Sequence, residues 1–208
     1  MANSTPALVA MLQMGALELH PFGASVPKLD CPDRLVFDFD PADDVGWGEL
    51  VESVHLLKTL LARLDLQSFI KTTGGKGLHV VLPIRPALGW ADIKRFTKAV
   101  AELMVRSFPD RYVATMSKTK RHGKIFVDYL RNSEGATAVA AYSLRARANA
   151  PIATPISWDE LDRDVRRDYF NVRNVPERLR TIKKDPWAEF FKVDQAVTKA
   201  LMKKVGIS

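Results

Sequence analysis

Two aspartates at the end of an apolar strand pattern are the first residues whose types and spacing could support chemistry. Asp38 and Asp40 close the segment RLVFDFD at positions 34–40. Residues two apart on a strand share a face, so their carboxylates would lie side by side and repel each other. A divalent cation between them would relieve that repulsion. Two solvated aspartates at a strand end are an equally good interpretation of this motif alone.

A third carboxylate ends another apolar segment, KIFVDYL at positions 124–130. If the first and last strands of the fold are neighbours, Asp128 faces Asp38 and can complete a metal site. Carboxylate oxygens are hard ligands, which suit Mg²⁺ or Mn²⁺ better than zinc.

A glycine-rich loop, TGGKG at positions 73–77, separates two further strand patterns. Its glycines would let backbone N–H groups approach an anion closely, and a hydroxyl, an ammonium and an imidazole stand beside them. A tight hairpin that needs glycine is the competing interpretation, and the Walker A pattern is absent. The candidate anion ligands are Thr73, Gly74, Gly75, Lys76 and His79.

Arginines follow these elements at Arg131 and Arg145. A guanidinium can bind phosphate through two parallel hydrogen bonds, although a single arginine is more often surface charge. Three carboxylates for two metal ions, a glycine loop and nearby arginines together are typical of two-metal phosphoryl or nucleotidyl transfer.

Hydrophobic periodicity predicts the elements that position these residues. Their order, β-α-β-β-α-β, is that of the ferredoxin/RRM-like α+β fold with a mostly antiparallel sheet, followed by C-terminal helices. We expect Asp38, Asp40 and Asp128 on one open face of that sheet. The predicted strands are 34–40, 68–72, 78–84 and 124–130, with a further strand at 136–143; the predicted helices are 7–17, 47–64, 90–108, 176–183 and 187–205, with a capping box at Ser157–Glu160.

Length and composition exclude several classes of protein. The chain has 208 residues, 47% of them hydrophobic, and a single cysteine, Cys31, so a disulfide framework or cysteine-rich zinc site is excluded. No apolar run is long enough to span a bilayer, and an intracellular protein is expected. We expect one domain, with an N-terminal helix and strand (1–33), a catalytic core (34–156) and a helical extension (157–208).

Charge is distributed unevenly along the chain. Positions 1–110 carry 11 Lys and Arg against 13 Asp and Glu, whereas positions 111–208 carry 20 against 11. A basic second half favours a polyanion as partner, and a merely solvated surface is the alternative.

Four segments resemble one known family: DRLVFDFDP, KTTGGKGLHVVLPI, MSKTKRHGKIFVDYLRN and ATAVAAYSLRARANAPIATPISWDEL. They are similar to the polymerase domain of bacterial DNA ligase D, a member of the archaeo-eukaryotic primase superfamily that acts in non-homologous end joining. The resemblance extends from about Leu8 to Trp187.

The resemblance implies a role for each site residue. Asp38, Asp40 and Asp128 would bind two Mn²⁺ or Mg²⁺ ions at which a template-dependent nucleotidyltransferase adds nucleotides to a DNA 3′ end. Three side chains would hold the nucleoside triphosphate; one of them is Thr73, at a position where the family usually has serine. His20, in a His-Pro-Phe motif where the family usually has tryptophan, would lie near its sugar, and Arg131 near the triphosphate or template. The triphosphate ligands implied are Thr73, His79 and Arg145.

The resemblance also implies partners and a location. The implied partners are DNA ends, a Ku-type protein and a ligase domain, and no membrane is implied. The implied location is the bacterial cytoplasm near the nucleoid. Family members usually carry about a hundred more residues before the counterpart of Leu8. The resemblance therefore implies metal binding more directly than it implies catalytic turnover.

Two other functions remain open from the sequence. One is a metal-dependent module that binds nucleotide or DNA ends without turnover. The other is a phosphatase of the haloacid-dehalogenase type, whose DxD motif requires Thr or Val two residues after the second Asp; Ala42 stands there.

Overall fold

The computed structural model describes residues 4–163 and 165–207. In this part of the chain six strands form one sheet, in the order β4-β5-β1-β3-β2-β6. All neighbouring strands are antiparallel except β4 and β5, which are parallel. The predicted mostly antiparallel α+β fold is therefore confirmed. The strands are β1 (Arg34–Pro41), β2 (Phe69–Thr72), β3 (Leu78–Pro83), β4 (Tyr112–Val113), β5 (Ile125–Asp128) and β6 (Pro155–Ile156).

Two long helices cover one face of this sheet. After α1 (Thr5–Gln13) in the N-terminal segment, α2 (Trp47–Arg63) and α3 (Trp90–Ser107) bury apolar side chains at helical spacing. They pack against alternate residues of β1, which are fully buried there. Because the side-chain period of a strand is two, the intervening β1 residues, with the aspartates among them, point to the opposite face. The buried β1 residues on the helical face are Leu35, Phe37 and Phe39.

The opposite face is not fully open, which corrects the expected open face of carboxylates. Val36, Phe69 and Val81 form a second apolar cluster there, covered by Trp187 and Phe190. The two aromatic rings stack with centroids 4.7 Å apart and an interplanar angle of 7°. The indole N–H of Trp187 donates to the carbonyl of Ile70 at 2.9 Å. This C-terminal segment therefore closes one end of the face on which the carboxylates lie.

The predicted helix at 187–205 is wrong over most of its length. Only α6 (Lys199–Lys204) is helical, since residues 187–192 form turns and residues 193–198 have no regular secondary structure. The Gln195 side chain explains the absence of a helix there, because its amide bonds the backbone of Gln67 and Pro83. Contact with the sheet has overridden the local helical pattern.

The short helices follow their sequence signals more closely. The capping box forms, with Glu160 N–H donating to the Ser157 hydroxyl at 3.1 Å at the start of α4 (Trp158–Arg163). Helix α5 spans Val175–Thr181. No helix in the described residues is both long and apolar enough to cross a membrane.

Two predicted strands are reduced to isolated pairs. The N-terminal strand within 1–33 and the strand at 136–143 form no regular strand; they pair in a bridge between Phe22 and Thr137 and in backbone hydrogen bonds from Ala138 to Pro21 and from Ala140 to Leu19. Asn132 takes the place of a strand partner for Val36, since its side-chain amide bonds both the N–H and the C=O of that residue, at 2.8 and 2.7 Å.

Candidate active site

Four polar side chains form a row across the centre of the sheet. Lys71 on β2 is opposite His79 on β3, His79 is opposite Asp38 on β1, and Asp38 is opposite Asp128 on β5. Directly opposed residues in an antiparallel sheet share a face, so all four project to the side away from α2 and α3. The predicted pairing of the first and last strands, with Asp38 facing Asp128, is confirmed. Lys71 was not among the predicted site residues.

Positively charged side chains lie among the three carboxylates. Arg131 contacts Asp38 and Asp128, at 3.2 and 3.4 Å. Asp40 lies 3.5 Å from Arg121 and 3.8 Å from Lys76. Among the described residues, no group of three His, Cys, Asp or Glu side chains is placed to hold a metal ion as they stand. The predicted metal site therefore stays a prediction.

The pKa values indicate how strongly the three carboxylates are neutralised. Burial opposes ionisation of Asp38, but the hydrogen bond and charge interaction with His79 and the charges of Arg131 and Lys71 outweigh it and lower the pKa of Asp38 to about 2. The pKa values of Asp40 and Asp128 are instead raised, chiefly by burial, with the negative charge of Asp38 adding to the effect. The nearby guanidinium and ammonium groups therefore do not fully offset the burial and repulsion of these acids.

The two basic residues of the row are buried and only partly satisfied. Burial lowers the pKa of Lys71 to about 7 and lowers that of His79 below its usual value. His79 Nε2 lies 3.4 Å from Asp38, but its Nδ1 and the Nζ of Lys71 have no hydrogen-bond partner among the described residues. Such groups are rare in folded proteins, since a buried donor without a partner is costly.

The glycine-rich loop closes between β2 and β3. The Thr73 hydroxyl donates to the Gly77 carbonyl at 3.0 Å and accepts from the Gly75 N–H at 3.2 Å. Gly74 has φ of +66°, a conformation that favours glycine. Lys76 reaches over the loop to Asp43, at 3.2 Å. The loop is therefore a tight hairpin that needs glycine, which is the interpretation that competes with anion binding. Its lysine, Lys76, lies at the edge of the cluster of three aspartates.

Glu18 connects two of the predicted nucleotide ligands. Its carboxylate lies 2.8 Å from His20 Nε2 and 3.1 Å from Arg145 Nε, and it accepts from the Ala146 N–H at 2.9 Å. The hydrogen bonds from His20 and Ala146, with Arg145, lower the pKa of Glu18 to about 2. Arg145 also donates to the Thr73 carbonyl at 2.7 Å, which ties the N-terminal segment to the glycine-rich loop.

A pocket of 610 Å³ brings the predicted residues together. Of the predicted site residues only Asp128 is absent from its lining, and it contacts Arg131, which lines the pocket, at 3.4 Å. The pocket also contains side chains that sequence reasoning did not assign, among them Arg167 and Asn149. The predicted residues in the lining are His20, Asp38, Asp40, Thr73, Gly74, Gly75, Lys76, His79, Arg131 and Arg145.

Sequence reasoning missed Glu18 and Lys71 for different reasons. Glu18 and His20 are two residues apart and their side chains lie 2.8 Å from each other, so their closeness in the sequence could have linked them. Lys71 lies two residues before the glycine-rich loop, but only the strand register places it beside His79.

The chain spans about a quarter of the length of the curated relatives it matches. It is 41% identical over 205 residues to the multifunctional non-homologous end joining protein LigD of Pseudomonas aeruginosa, covering 98% of this chain and 24% of the relative. It is 33% identical over 185 residues to the protein of the same name from Mycolicibacterium smegmatis, covering 85% of this chain and 23% of the relative.

A solved structure and a family match agree with these relatives. The polymerase domain of Mycobacterium tuberculosis ligase D, solved in complex with DNA, superposes with a TM-score of 0.82 at 31% identity, covering 90% of this chain and 68% of that chain. The family described as the LigD primase-polymerase domain matches residues 1–187. The chain therefore belongs to the LigD primase-polymerase domain family.

Proposed function

We propose that the chain is a template-dependent nucleotidyltransferase that adds nucleotides to DNA 3′ ends during non-homologous end joining. The observation that carries the proposal is the row in which Asp38 faces Asp128 and His79, with Asp40 on the same face. Its similarity to a ligase D polymerase domain solved with DNA supports the same class of reaction.

The three carboxylates fit divalent cations. Oxygen donors on one face are the ligands that Mn²⁺ and Mg²⁺ prefer. The raised pKa values of Asp40 and Asp128 indicate acids whose charge the neighbouring cations do not fully offset. We propose that Asp38, Asp40 and Asp128 hold two such ions. When bound, the ions would activate the attacking hydroxyl and neutralise charge on the phosphates.

The chain's own residues have separate tasks in this proposal. The residues that hold the triphosphate at the glycine-rich loop are Thr73, Lys76, His79 and Arg145. His20 approaches the sugar. Arg131 must leave Asp38 and Asp128 when the ions bind, because one guanidinium now contacts both carboxylates. Its 41% exposed side chain leaves room for that movement towards a phosphate.

The proposed reaction needs only the DNA 3′ end and the nucleoside triphosphate as reactants. The 3′-oxygen of the strand forms a bond to the α-phosphorus of the nucleotide, and pyrophosphate leaves with the electron pair of the broken phosphorus–oxygen bond. The hydroxyl proton passes to solvent. Electrostatic stabilisation by Lys76 and Arg145 offsets the charge on the leaving group.

The domain organisation and partners are also part of the proposal. Residues 34–156 are the catalytic core, 1–33 carry His20 to it, and 157–208 form an extension that covers one end of the carboxylate face. DNA ends are the substrate, and a Ku-type protein and a ligase domain are partners implied by the family.

Primer extension tests the proposed function. The substrate is a gapped, 5′-phosphorylated DNA end supplied with Mn²⁺ or Mg²⁺ and either ribo- or deoxynucleoside triphosphates. We expect the chain to extend the 3′ end and Asp128→Ala to abolish extension, since it removes a proposed metal ligand. The variant should stay folded, because removing a buried acid with a raised pKa relieves repulsion and opposes the loss of the hydrogen bond that the Leu130 N–H donates to it at 2.7 Å.

Glu134→Ala, at an exposed position, is the matched control and should extend normally. Extension that survives in Asp128→Ala would overturn the metal assignment. Nucleotide binding that depends on Mn²⁺ without any extension would overturn the proposed turnover and leave a binding module.

A further inference from the structure

A second cavity, of 310 Å³, adjoins the pocket that contains the carboxylates. The outer face of the sheet forms its floor, at Val36, Lys71 and Val81. The segment 136–142 forms one wall and the aromatic segment 185–191 the other. It shares His79, Arg131, Ala138 and Val139 with the carboxylate pocket, so occupants of the two spaces would lie next to each other. None of the functions assigned above uses this cavity.

Two buried nitrogens in its lining residues have no hydrogen-bond partner in the described part of the chain. They are Nζ of Lys71 and Nδ1 of His79, on side chains that are each 3% exposed. Lys71 and His79 are cross-strand partners, so both belong to one patch of the floor. A ligand with oxygen acceptors would satisfy groups that the protein leaves unsatisfied. Arg34 and Arg131 also line the cavity, but they are paired with aspartates, and the acidic Asp185 lies in the same lining. The Nζ of Lys71 is therefore the cationic group of the lining that lacks a partner in the described part of the chain.

The walls of the cavity favour a flat apolar group. Phe191 stands at its edge with 90% of its surface exposed, next to the stacked pair of Trp187 and Phe190. Tyr142 lines the cavity with φ of +62°, which is unusual for a bulky residue and typical of functional sites. Exposed aromatic rings beside cationic side chains are the usual platform for an unpaired or terminal base.

We propose that this cavity holds the 3′-terminal nucleotide of the strand that is extended, with its base against Phe191 and its phosphodiester oxygens towards Lys71. This inference rests on the proposed function and names the strand subsite. Ligand pockets begin at about 300 Å³, so the space suits one nucleotide and not a duplex.

The position of the cavity distinguishes this strand from the incoming nucleotide. The glycine-rich loop and Arg145 line the carboxylate pocket and not the second cavity. The 3′-hydroxyl must meet the α-phosphate, so the terminal nucleotide has to occupy a space that borders the triphosphate site. The shared residues His79 and Arg131 mark that border.

A fluorescent terminal base provides a test that needs no turnover. A gapped DNA end carries 2-aminopurine either at its 3′ terminus or well inside the same strand, and is titrated with the chain in Mn²⁺ without nucleoside triphosphate. We expect quenching of the terminal probe only, because stacking on an aromatic ring quenches this base. Phe191→Ala should remove the quenching and weaken binding of the DNA end roughly tenfold.

Two controls keep the test specific. Leu179→Ala removes an apolar side chain that is 51% exposed on α5 and lines neither cavity, and it should behave as the unaltered chain. Lys71→Met should raise the KM for the DNA end and leave the KM for the nucleotide within twofold.

The possible results separate this inference from the proposed function. Equal quenching of both probes, or unchanged quenching in Phe191→Ala, would overturn the subsite even if the chain extends DNA. Displacement of the terminal probe by a nucleoside monophosphate alone, at the affinity of the DNA end, would also overturn it. Terminal quenching that depends on Phe191 supports the subsite whether or not extension is observed.

Discussion

Replacing Lys71 with methionine removes a buried ammonium group and keeps an unbranched side chain in its place. Lys71 is 3% exposed, and its Nζ has no hydrogen-bond partner among the described residues. Burial lowers its pKa from 10.5 to about 7, and the negative charge of Asp38 offsets only part of this effect. We expect Lys71→Met to be more stable than the unaltered chain at neutral pH.

The size of this gain depends on pH in a defined direction. Because the folded pKa lies below the unfolded value, the unfolded chain binds more protons between pH 7 and 10.5, and stability of the unaltered chain rises with pH there. One pKa unit corresponds to about 1.4 kcal/mol, so the ammonium costs about 4 kcal/mol at pH 7 and about 1 kcal/mol at pH 10. The advantage of Lys71→Met should shrink accordingly.

Urea unfolding of both chains at several pH values from 7 to 10, without metal or nucleic acid, measures this difference. Lys199→Met, at an exposed position on α6, is the matched control and should show a difference from the unaltered chain that does not change with pH. A constant difference for Lys71→Met as well would refute the reasoning, since Lys71 would then ionise as it does in the unfolded chain.

Two further substitutions test contacts that only the tertiary structure shows. Glu18→Ala should raise the KM for nucleoside triphosphate several-fold with little change in kcat, because Arg145 loses the carboxylate that orients it. Steady-state kinetics measure this effect, with Glu134→Ala as the control. An equal effect on KM and kcat would contradict the orienting role. Asn132→Ala should lower the free energy of unfolding by about 2–4 kcal/mol in urea denaturation, because the substitution leaves the N–H and C=O of Val36 without their side-chain partners. A decrease in the free energy of unfolding below about 1 kcal/mol would contradict this account.

Local patterns were sufficient to predict the main elements. Alternation in RLVFDFD placed the aspartates on the face opposite Phe37 and Phe39, and helical spacing predicted α2 and α3 within a residue of their observed ends. The order of these elements then restricted the topology, because β-α-β-β-α-β with right-handed crossovers places the first and last strands together. This is why the pairing of Asp38 with Asp128 could be expected before any coordinates.

Other features depend on partners that are distant along the chain. Strand β6 has two residues and gains its identity only by pairing with β2. Residues 187–198 carry a helical pattern, yet Trp187 and Gln195 bond backbone groups of β2 and its flanking loop, and this contact overrides the pattern. No local signal contains such information, since the competing partner lies more than a hundred residues away.

The residue types that could perform the chemistry are visible in the sequence: three aspartates at strand ends, a glycine-rich loop and two arginines. How these groups are neutralised, and what surrounds them, follows from the packing of the chain. That packing placed Arg131 between two carboxylates, connected Glu18 to Arg145, and left Lys71 buried beside a second cavity. The physical reason is that residue type and spacing are local, whereas burial and charge pairing arise only when distant segments pack together.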